Sequence, residues 1–167
     1  LRGSHGRATW KALLDGFIGE GWEPIWDKAA VIGLKGPAGE GGLSLEPGGQ
    51  FEHSGAPLET IHQTAEETSR HLALAKQYGA PLDINFLGLG VTPLWGVKDI
   101  PAMPKSRYGI MTPYMEKVGT LGTSMMYRSS TVQANLDFSD EADMVKKLRV
   151  SLALQPIAAA LFANSPF

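Results

Sequence analysis

The segment from Thr131 to Phe138 alternates between polar and apolar residues, as a β-strand with one buried face does. Because successive side chains point to opposite faces of a strand, the polar members would share one face. That face would carry only short hydroxyl, amide and carboxylate groups, those of Thr131, Gln133, Asn135 and Asp137. Such a row suits the binding of a polar ligand, although an ordinary solvated strand face explains the pattern equally well.

Two glutamates flank a glycine-rich turn in the first third of the chain. Glu46 precedes Pro47-Gly48-Gly49, and Glu52 follows the turn on the next predicted strand. Carboxylates on neighbouring strand ends suit Mg²⁺, a hard cation that takes oxygen ligands and is often bound together with phosphates. The residues alone favour a simpler interpretation, in which both carboxylates are solvated beside a β-turn.

A basic cluster, Lys105-Ser106-Arg107-Tyr108, precedes a predicted helix. The planar guanidinium of Arg107 could bind a carboxylate or a phosphate through two parallel hydrogen bonds. An arginine at the start of a helix is usually solvated, so the cluster alone does not define a site.

Several other kinds of site are excluded by spacing or composition. The glycine-rich stretch 36–42 is not followed by the Lys-Ser/Thr of a phosphate-binding loop, and Gly88-Leu89-Gly90 lacks the third glycine of a dinucleotide fingerprint. The four histidines do not have a zinc-binding spacing. The absence of cysteine excludes disulfides, thiolate metal sites and a cysteine nucleophile.

Hydrophobic periodicity and turn residues predict an α+β fold, with a mostly antiparallel sheet and helices on one of its faces. Helices are predicted over 10–19, 57–79, 108–118 and from an N-cap at Ser139 to about Ala163. Strands are predicted over 29–34, 43–46, 50–54, 85–91 and 126–138. Of these, 85–91 is expected to be buried on both faces.

Composition limits the class of protein. The 167 residues are enough for one domain, and the net charge of −2 comes without a basic run that would indicate a nucleic-acid partner. No apolar stretch is long enough to span a bilayer, and no signal peptide is evident, so a cytoplasmic protein without a membrane partner is expected. Residues 1–9 resemble a cloning remnant or a divergent lead-in, and both ends suggest a fragment of a longer protein.

Several long phrases, in order along the chain, together resemble one enzyme family, the glutamate–cysteine ligases of plants and α-proteobacteria. The resemblance extends from about Trp10 to Phe167, so residues 10–167 would be a partial catalytic domain. The phrases that carry it are 45–52, 54–60, 62–64, 86–90, 103–108, 131–133, 135–138, 151–157 and 161–167.

The resemblance implies a glutamine-synthetase-like carboxylate–amine ligase fold, whose curved antiparallel sheet holds ATP, Mg²⁺ and glutamate. The implied reaction joins the γ-carboxylate of L-glutamate to L-cysteine through a γ-glutamyl phosphate, which is the first step of glutathione biosynthesis. The resemblance makes a metal site at Glu46 and Glu52 the favoured interpretation. It further implies that a substrate carboxylate pairs with Arg107, and that the substrate and reaction basin is lined by Thr131, Gln133 and Asn135.

The sequence also departs from the family pattern. The family's upstream strand with a Glu-x-Glu pair of metal ligands is missing before Trp10, and the family enzyme is more than twice as long. The chain alone is therefore expected to be inactive and to need the remainder of a parent chain. Two alternatives stay open: a non-catalytic remnant that binds a ligand or a partner, and a related ligase that uses another amine.

Overall fold

The computed structural model describes residues 5–37 and 40–164. The described residues form five α-helices and one four-stranded sheet, so the predicted α+β class is confirmed at this level. The helices are α1 (His5–Gly19), α2 (Ile61–Gly79), α3 (Ser106–Val118), α4 (Gly122–Arg128) and α5 (Glu141–Leu161). The strands are β1 (Glu23–Asp27), β2 (Ala30–Lys35), β3 (Gly42–Leu45) and β4 (Phe51–Ser54). Short 3-10 helices span Ala80–Leu82 and Val97–Asp99.

The chain divides into two compact units. The first unit contains the residues up to Leu87 together with Leu94–Arg128, and the second contains Gly88–Pro93 together with the chain from Ser129 onward. The sheet, α1, α2, α3 and α4 belong to the first unit, and α5 belongs to the second.

The sheet is an antiparallel meander in the order β1-β2-β3-β4. Its register places Ser44 between Gly33 on β2 and Glu52 on β4, and places Leu43 between Leu34 and His53. Because directly paired residues lie on the same face of a sheet, Ser44 and Glu52 share one face and Leu43 lies on the other.

The core of the first unit lies between α1 and the leucine-bearing face of the sheet. The spacing of three and four residues in α1 directs one apolar face inward, and this face meets the leucines that alternate inward along the strands. The residues buried here include Trp10, Leu13, Leu14, Phe17, Leu34, Leu43 and Leu45.

The second unit joins two stretches that are distant in sequence. Val91 forms an antiparallel bridge with Ser129, and the amide of Ser130 donates to the carbonyl of Gly90 at 2.9 Å. The carboxylate of Asp140 caps α5 by accepting a hydrogen bond from the amide of Asp143 at 2.9 Å. The N-cap is thus Asp140, and the prediction of Ser139 was one residue early.

Two predicted strands are wrong. Residues 85–91 and 131–138 have no regular secondary structure, and Met126–Arg128 belong to α4. Alternating polarity shows which side chains would share a face, but a strand also needs a neighbouring strand for its backbone hydrogen bonds. Among the described residues neither segment has such a partner beyond the Val91–Ser129 bridge.

β1 was not predicted from the sequence. It contains Pro24, and proline in a sheet is confined mainly to edges and bulges. β1 is an edge strand, so it accommodates this proline opposite Leu34.

Parts of three sequence-based expectations lie outside the described residues: 1–4 of the predicted lead-in, 38–39 of the predicted turn, and 165–167 of the matched ending. Residues 5–9 of the predicted lead-in belong to α1. No helix in the described part of the chain combines the length and apolar character that a bilayer span requires.

Candidate functional site

A tight turn links β3 to β4 and places the two glutamates of interest. The amide of Gly49 donates to the carbonyl of Glu46 at 2.8 Å, and the amide of Glu46 donates to the carbonyl of Gln50 at 2.9 Å. Gly49 has a φ of +80°, a conformation that glycine adopts without a steric penalty. A Cβ at Gly48 would lie 2.1 Å from the carbonyl oxygen of Tyr127, so only glycine fits at that position.

Two hydrogen bonds fix the turn to the surrounding unit, and a third lies within the turn. The Gln50 side-chain oxygen accepts from the amide of Gly48 at 2.8 Å, and its nitrogen donates to the carbonyl of Met126 at 3.0 Å. The amide of Met103 donates to the carbonyl of Pro47 at 3.0 Å. The turn is thereby held against α4 and against the segment that leads into α3.

Glu46 and Glu52 lie on the same face of the sheet, opposite the leucine core. The hydroxyl of Ser44 donates to Glu46 Oε1 at 3.1 Å, and the hydroxyl of Ser54 donates to Glu52 Oε1 at 3.3 Å. Leu45, between Ser44 and Glu46, points the other way and is buried. The two carboxylates are therefore presented together on the polar face.

Two cations from the start of α3 approach the carboxylate of Glu46. Lys105 Nζ lies 3.5 Å and Arg107 Nη2 lies 3.8 Å from Glu46 Oε1. The Lys105 side chain is only 9% exposed, whereas that of Arg107 is 61% exposed. Lys105 is thus a nearly buried charge beside Glu46, and Arg107 keeps most of its guanidinium open to solvent.

Tyr108 contacts both cations of this cluster and the end of β3. Its buried hydroxyl donates to the carbonyl of Leu45 at 3.1 Å and accepts from Arg107 at 3.4 Å. Lys105 Nζ and the Arg107 guanidinium carbon lie 5.4 Å and 5.1 Å from its ring centroid, within the range of cation–π attraction. The hydrogen bond to Tyr108, with smaller contributions from Glu46 and Glu52, raises the pKa of Arg107, so the guanidinium stays charged.

The first turn of α3 is tied to the end of β1. The backbone amide of Ser106 donates to Asp27, and the Ser106 hydroxyl donates to Asp27 Oδ1 at 2.8 Å. These two hydrogen bonds lower the pKa of Asp27 below its ordinary value. Asp27 therefore stays ionised and holds the basic cluster beside the sheet.

The donor chemistry of the polar face fits Mg²⁺ in part. Mg²⁺ commonly takes one or two carboxylates and completes its shell with waters and phosphate oxygens, and Glu46 and Glu52 offer two carboxylates. Within the described ranges no cluster of three or more His, Asp or Glu residues could hold a metal ion. Glu46 and Glu52 could therefore supply part of the coordination shell of a Mg²⁺ ion. Lys105 and Arg107 are close enough to compete with the ion for Glu46.

The three other predicted site residues lie in the second unit. Thr131, Gln133 and Asn135 are exposed and belong to the irregular segment that follows Ser129. The expected shared face of a strand is thus not formed. The structure does bring together three of the predicted site residues in the first unit: Glu46, Glu52 and Arg107.

Sequence reasoning missed the roles of Ser44, Lys105 and Tyr108. The basic cluster was recognised, but only the fold brings Lys105 and Tyr108 to Glu46, which lies 59 and 62 residues earlier. Ser44 could have been found, because strand alternation puts it on the same face as Glu46.

Comparison with known proteins identifies the family. A family model described as glutamate–cysteine ligase family 2 matches residues 8–167. The chain belongs to this family. It is 60% identical to the chloroplastic glutamate–cysteine ligases of Nicotiana tabacum and Arabidopsis thaliana over 146 residues, and 59% identical to ligase A of Oryza sativa subsp. japonica.

The chain covers less than a third of these relatives. Each alignment includes 87% of this chain. It includes only 28% of the tobacco and Arabidopsis proteins and 29% of the rice protein.

The relatives also correct the expected location. They are named as chloroplastic, so the prediction of a cytoplasmic protein is wrong. That prediction rested on the absence of a membrane-spanning stretch and of an evident signal peptide, and neither feature specifies a compartment.

Proposed function

We propose that the protein to which this chain belongs is an ATP-dependent glutamate–cysteine ligase, which forms γ-glutamylcysteine in the first step of glutathione synthesis. The observation that carries the proposal is family membership over residues 8–167, together with about 60% identity to ligases of that name. The relatives are chloroplastic, and we propose the same location for this protein.

The reaction needs charge screening more than covalent catalysis. The γ-carboxylate of glutamate attacks the γ-phosphorus of ATP, and ADP leaves as γ-glutamyl phosphate forms. The amine of cysteine then attacks the acyl carbon, phosphate leaves, and the amine loses a proton. Because the first step brings two anions together, cationic groups and fixed dipoles at the site lower its barrier.

The residues of the polar face have the chemistry that this step requires. Glu46 and Glu52 would provide carboxylates to Mg²⁺, which supplies positive charge at the phosphates when bound. Arg107, with its exposed guanidinium, would hold a carboxylate of the amino-acid substrate and keep it oriented. The ion-pair distance of 3.8 Å between Arg107 and Glu46, together with a weaker electrostatic attraction between Arg107 and Glu52, supports a common site for metal and substrate.

The roles of Thr131, Gln133 and Asn135 rest on the family resemblance alone. We propose that Thr131 lines the substrate pocket and that the two amides contact metal, nucleotide or substrate in the complete protein. The four antiparallel strands would then be part of the larger curved sheet of a glutamine-synthetase-like ligase. The remainder of the parent chain would complete both the sheet and the site.

A coupled assay for ADP on the complete protein tests the proposal. ADP release is expected to require Mg²⁺, L-glutamate and L-cysteine together, and the product should be γ-glutamylcysteine by mass spectrometry. ADP release that proceeds equally well without cysteine, in the presence of another amine, would point to a related ligase. No ADP release under any of these conditions would favour a ligand-binding or partner-binding remnant.

A further inference from the structure

The charge of Lys105 has an internal counter-ion. The ammonium of a lysine side chain that is only 9% exposed needs a compensating anion, because an unpaired charge is costly to bury. Among the described residues, the carboxylate within ion-pair distance of Lys105 is that of Glu46, at 3.5 Å. Glu46 thus neutralises a cation that would otherwise attract an external anion.

The contacts to this carboxylate are crowded and long. Glu46 Oε1 has Ser44 at 3.1 Å, Tyr108 at 3.4 Å, Lys105 at 3.5 Å and Arg107 at 3.8 Å. Charge-assisted hydrogen bonds of full strength are shorter, about 2.7–2.9 Å. A free carboxylate or phosphate could approach Lys105 and Arg107 more closely than Glu46 does, because the Glu46 side chain is fixed at the end of β3.

We propose that Glu46 is an internal stand-in for the substrate anion at Lys105 and Arg107, so that an anion and a divalent cation bind cooperatively. An anion that pairs with the two cations releases Glu46 to the divalent cation. A divalent cation that takes Glu46 leaves Lys105 and Arg107 without their partner and strengthens their attraction for the anion. Lys105 is then a positioning residue that couples the two ligands, and this inference rests on the proposed function.

The coupling is reciprocal by thermodynamic linkage, so it can be measured from either ligand. Linked sites typically change each other's affinity by about 5- to 150-fold. Saturating L-glutamate is therefore expected to tighten Mg²⁺ binding by at least about fivefold.

Isothermal titration calorimetry of MgCl₂ into the complete protein provides the test, with and without saturating L-glutamate and in the absence of ATP and cysteine. Lys105→Met should bind Mg²⁺ more tightly than the wild type without glutamate, because one competitor for Glu46 is gone. Addition of glutamate should then tighten its Mg²⁺ binding by less than twofold. Lys98→Met, which removes an exposed lysine from the same unit, should keep the wild-type coupling.

Direct contact between the metal ion and glutamate would also couple the two ligands, but Lys105→Met would then keep the full coupling, and the stand-in role would be wrong. Mg²⁺ affinity of the wild type that is indifferent to glutamate overturns the inference even if Lys105→Met does not fold. In that case normal ADP release would leave the proposed function standing. Failure of the wild type to bind Mg²⁺ or glutamate at all would overturn both.

Discussion

Individual residues at the β3–β4 turn are constrained by close backbone approach. Gly48 lies against the carbonyl of Tyr127, and Gly49 has the positive φ that the turn requires. These constraints explain why the turn contains two consecutive glycines. The sequence alone predicts a turn here, but it does not show that the backbone of Tyr127 approaches it.

Gly48→Ala tests the close approach. Its Cβ would lie 2.1 Å from the Tyr127 carbonyl oxygen, so the turn and α4 must move apart. Overpacking of this kind costs about 1–3 kcal/mol, and urea denaturation should show a loss of free energy of unfolding in that range. Gly119→Ala is the control, because a Cβ there meets no atom within 4 Å. Equal stability of the two variants would contradict the described packing.

A second prediction concerns the contribution of the Glu46–Lys105 ion pair to stability. Glu46→Gln leaves the nearly buried ammonium of Lys105 without its counter-ion and should lower the free energy of unfolding by about 1–3 kcal/mol. Glu46→Gln combined with Lys105→Met should recover part of this loss, because no unpaired charge remains. Urea denaturation of both single variants and of the double variant gives the coupling energy. Additive losses would mean that the two side chains do not interact.

At the scale of elements, a pair of stacked histidines joins α2 to β4. The rings of His53 and His71 lie 4.4 Å apart with an interplanar angle of 9°, and His53 Nε2 lies 3.8 Å from Glu67 Oε1. His71 also packs on the rings of Phe17 and Phe51. The pair lies beside a cleft of about 240 Å³. Burial, followed by the proximity of His53, lowers the pKa of His71 to about 4.

This pKa makes the stability of the protein depend on pH. His71 is protonated in the unfolded chain below about pH 6.5, whereas the folded protein resists protonation until about pH 4. Its contribution is therefore complete above pH 6.5 and is lost as the pH falls toward 4. A loss of about 1–2 kcal/mol is expected after allowing for screening by solvent in the cleft.

Urea denaturation between pH 7 and pH 4 measures this dependence. His71→Phe should flatten the profile over this interval, because the titrating group is removed while the aromatic packing is largely kept. His62→Gln should leave the profile unchanged, since His62 is exposed on the same helix. An unchanged slope in His71→Phe would show that other groups cause the pH dependence.

Local sequence patterns specified some elements and not others. The strands around Glu46 were predictable, because alternation of Leu43, Ser44 and Leu45 is matched by pairing with β2 and β4. The polar segment after Ser130 has the same alternation, but no neighbouring strand pairs with it in the described part of the chain. The position of Lys105 beside Glu46 could not be predicted, because it depends on the contact between α3 and the sheet.

At the scale of the whole molecule, the chain contains two units and less than a third of the length of its relatives. The family was predictable from the sequence because several long phrases match in order. The arrangement of Thr131, Gln133 and Asn135 could not be predicted from the sequence. The strand expected for them would need a neighbouring strand, and the described residues do not supply one.

Hydrogen exchange followed by mass spectrometry tests whether residues 132–138 lack strand pairing in this chain. In this chain the amides of 132–138 donate to no backbone carbonyl among the described residues, so they should exchange within seconds at neutral pH. The interior amides of α5 should exchange more slowly and serve as the internal control. Protection of 132–138 equal to that of α5 would indicate a paired strand.

The Mg²⁺ dependence of ADP release by Glu52→Gln in the complete protein tests the proposed metal site most directly. Activity at low Mg²⁺ is expected to fall by about tenfold or more and the Mg²⁺ requirement to rise, because loss of a carboxylate ligand should cost no less than loss of a residue that only supports a ligand. The melting temperature should stay near that of the wild type, since Glu52 is exposed, and Glu116→Gln, an exposed glutamate on α3, should behave as the wild type. Normal activity and normal Mg²⁺ dependence in Glu52→Gln would contradict the assignment of the β3–β4 carboxylates to the metal site.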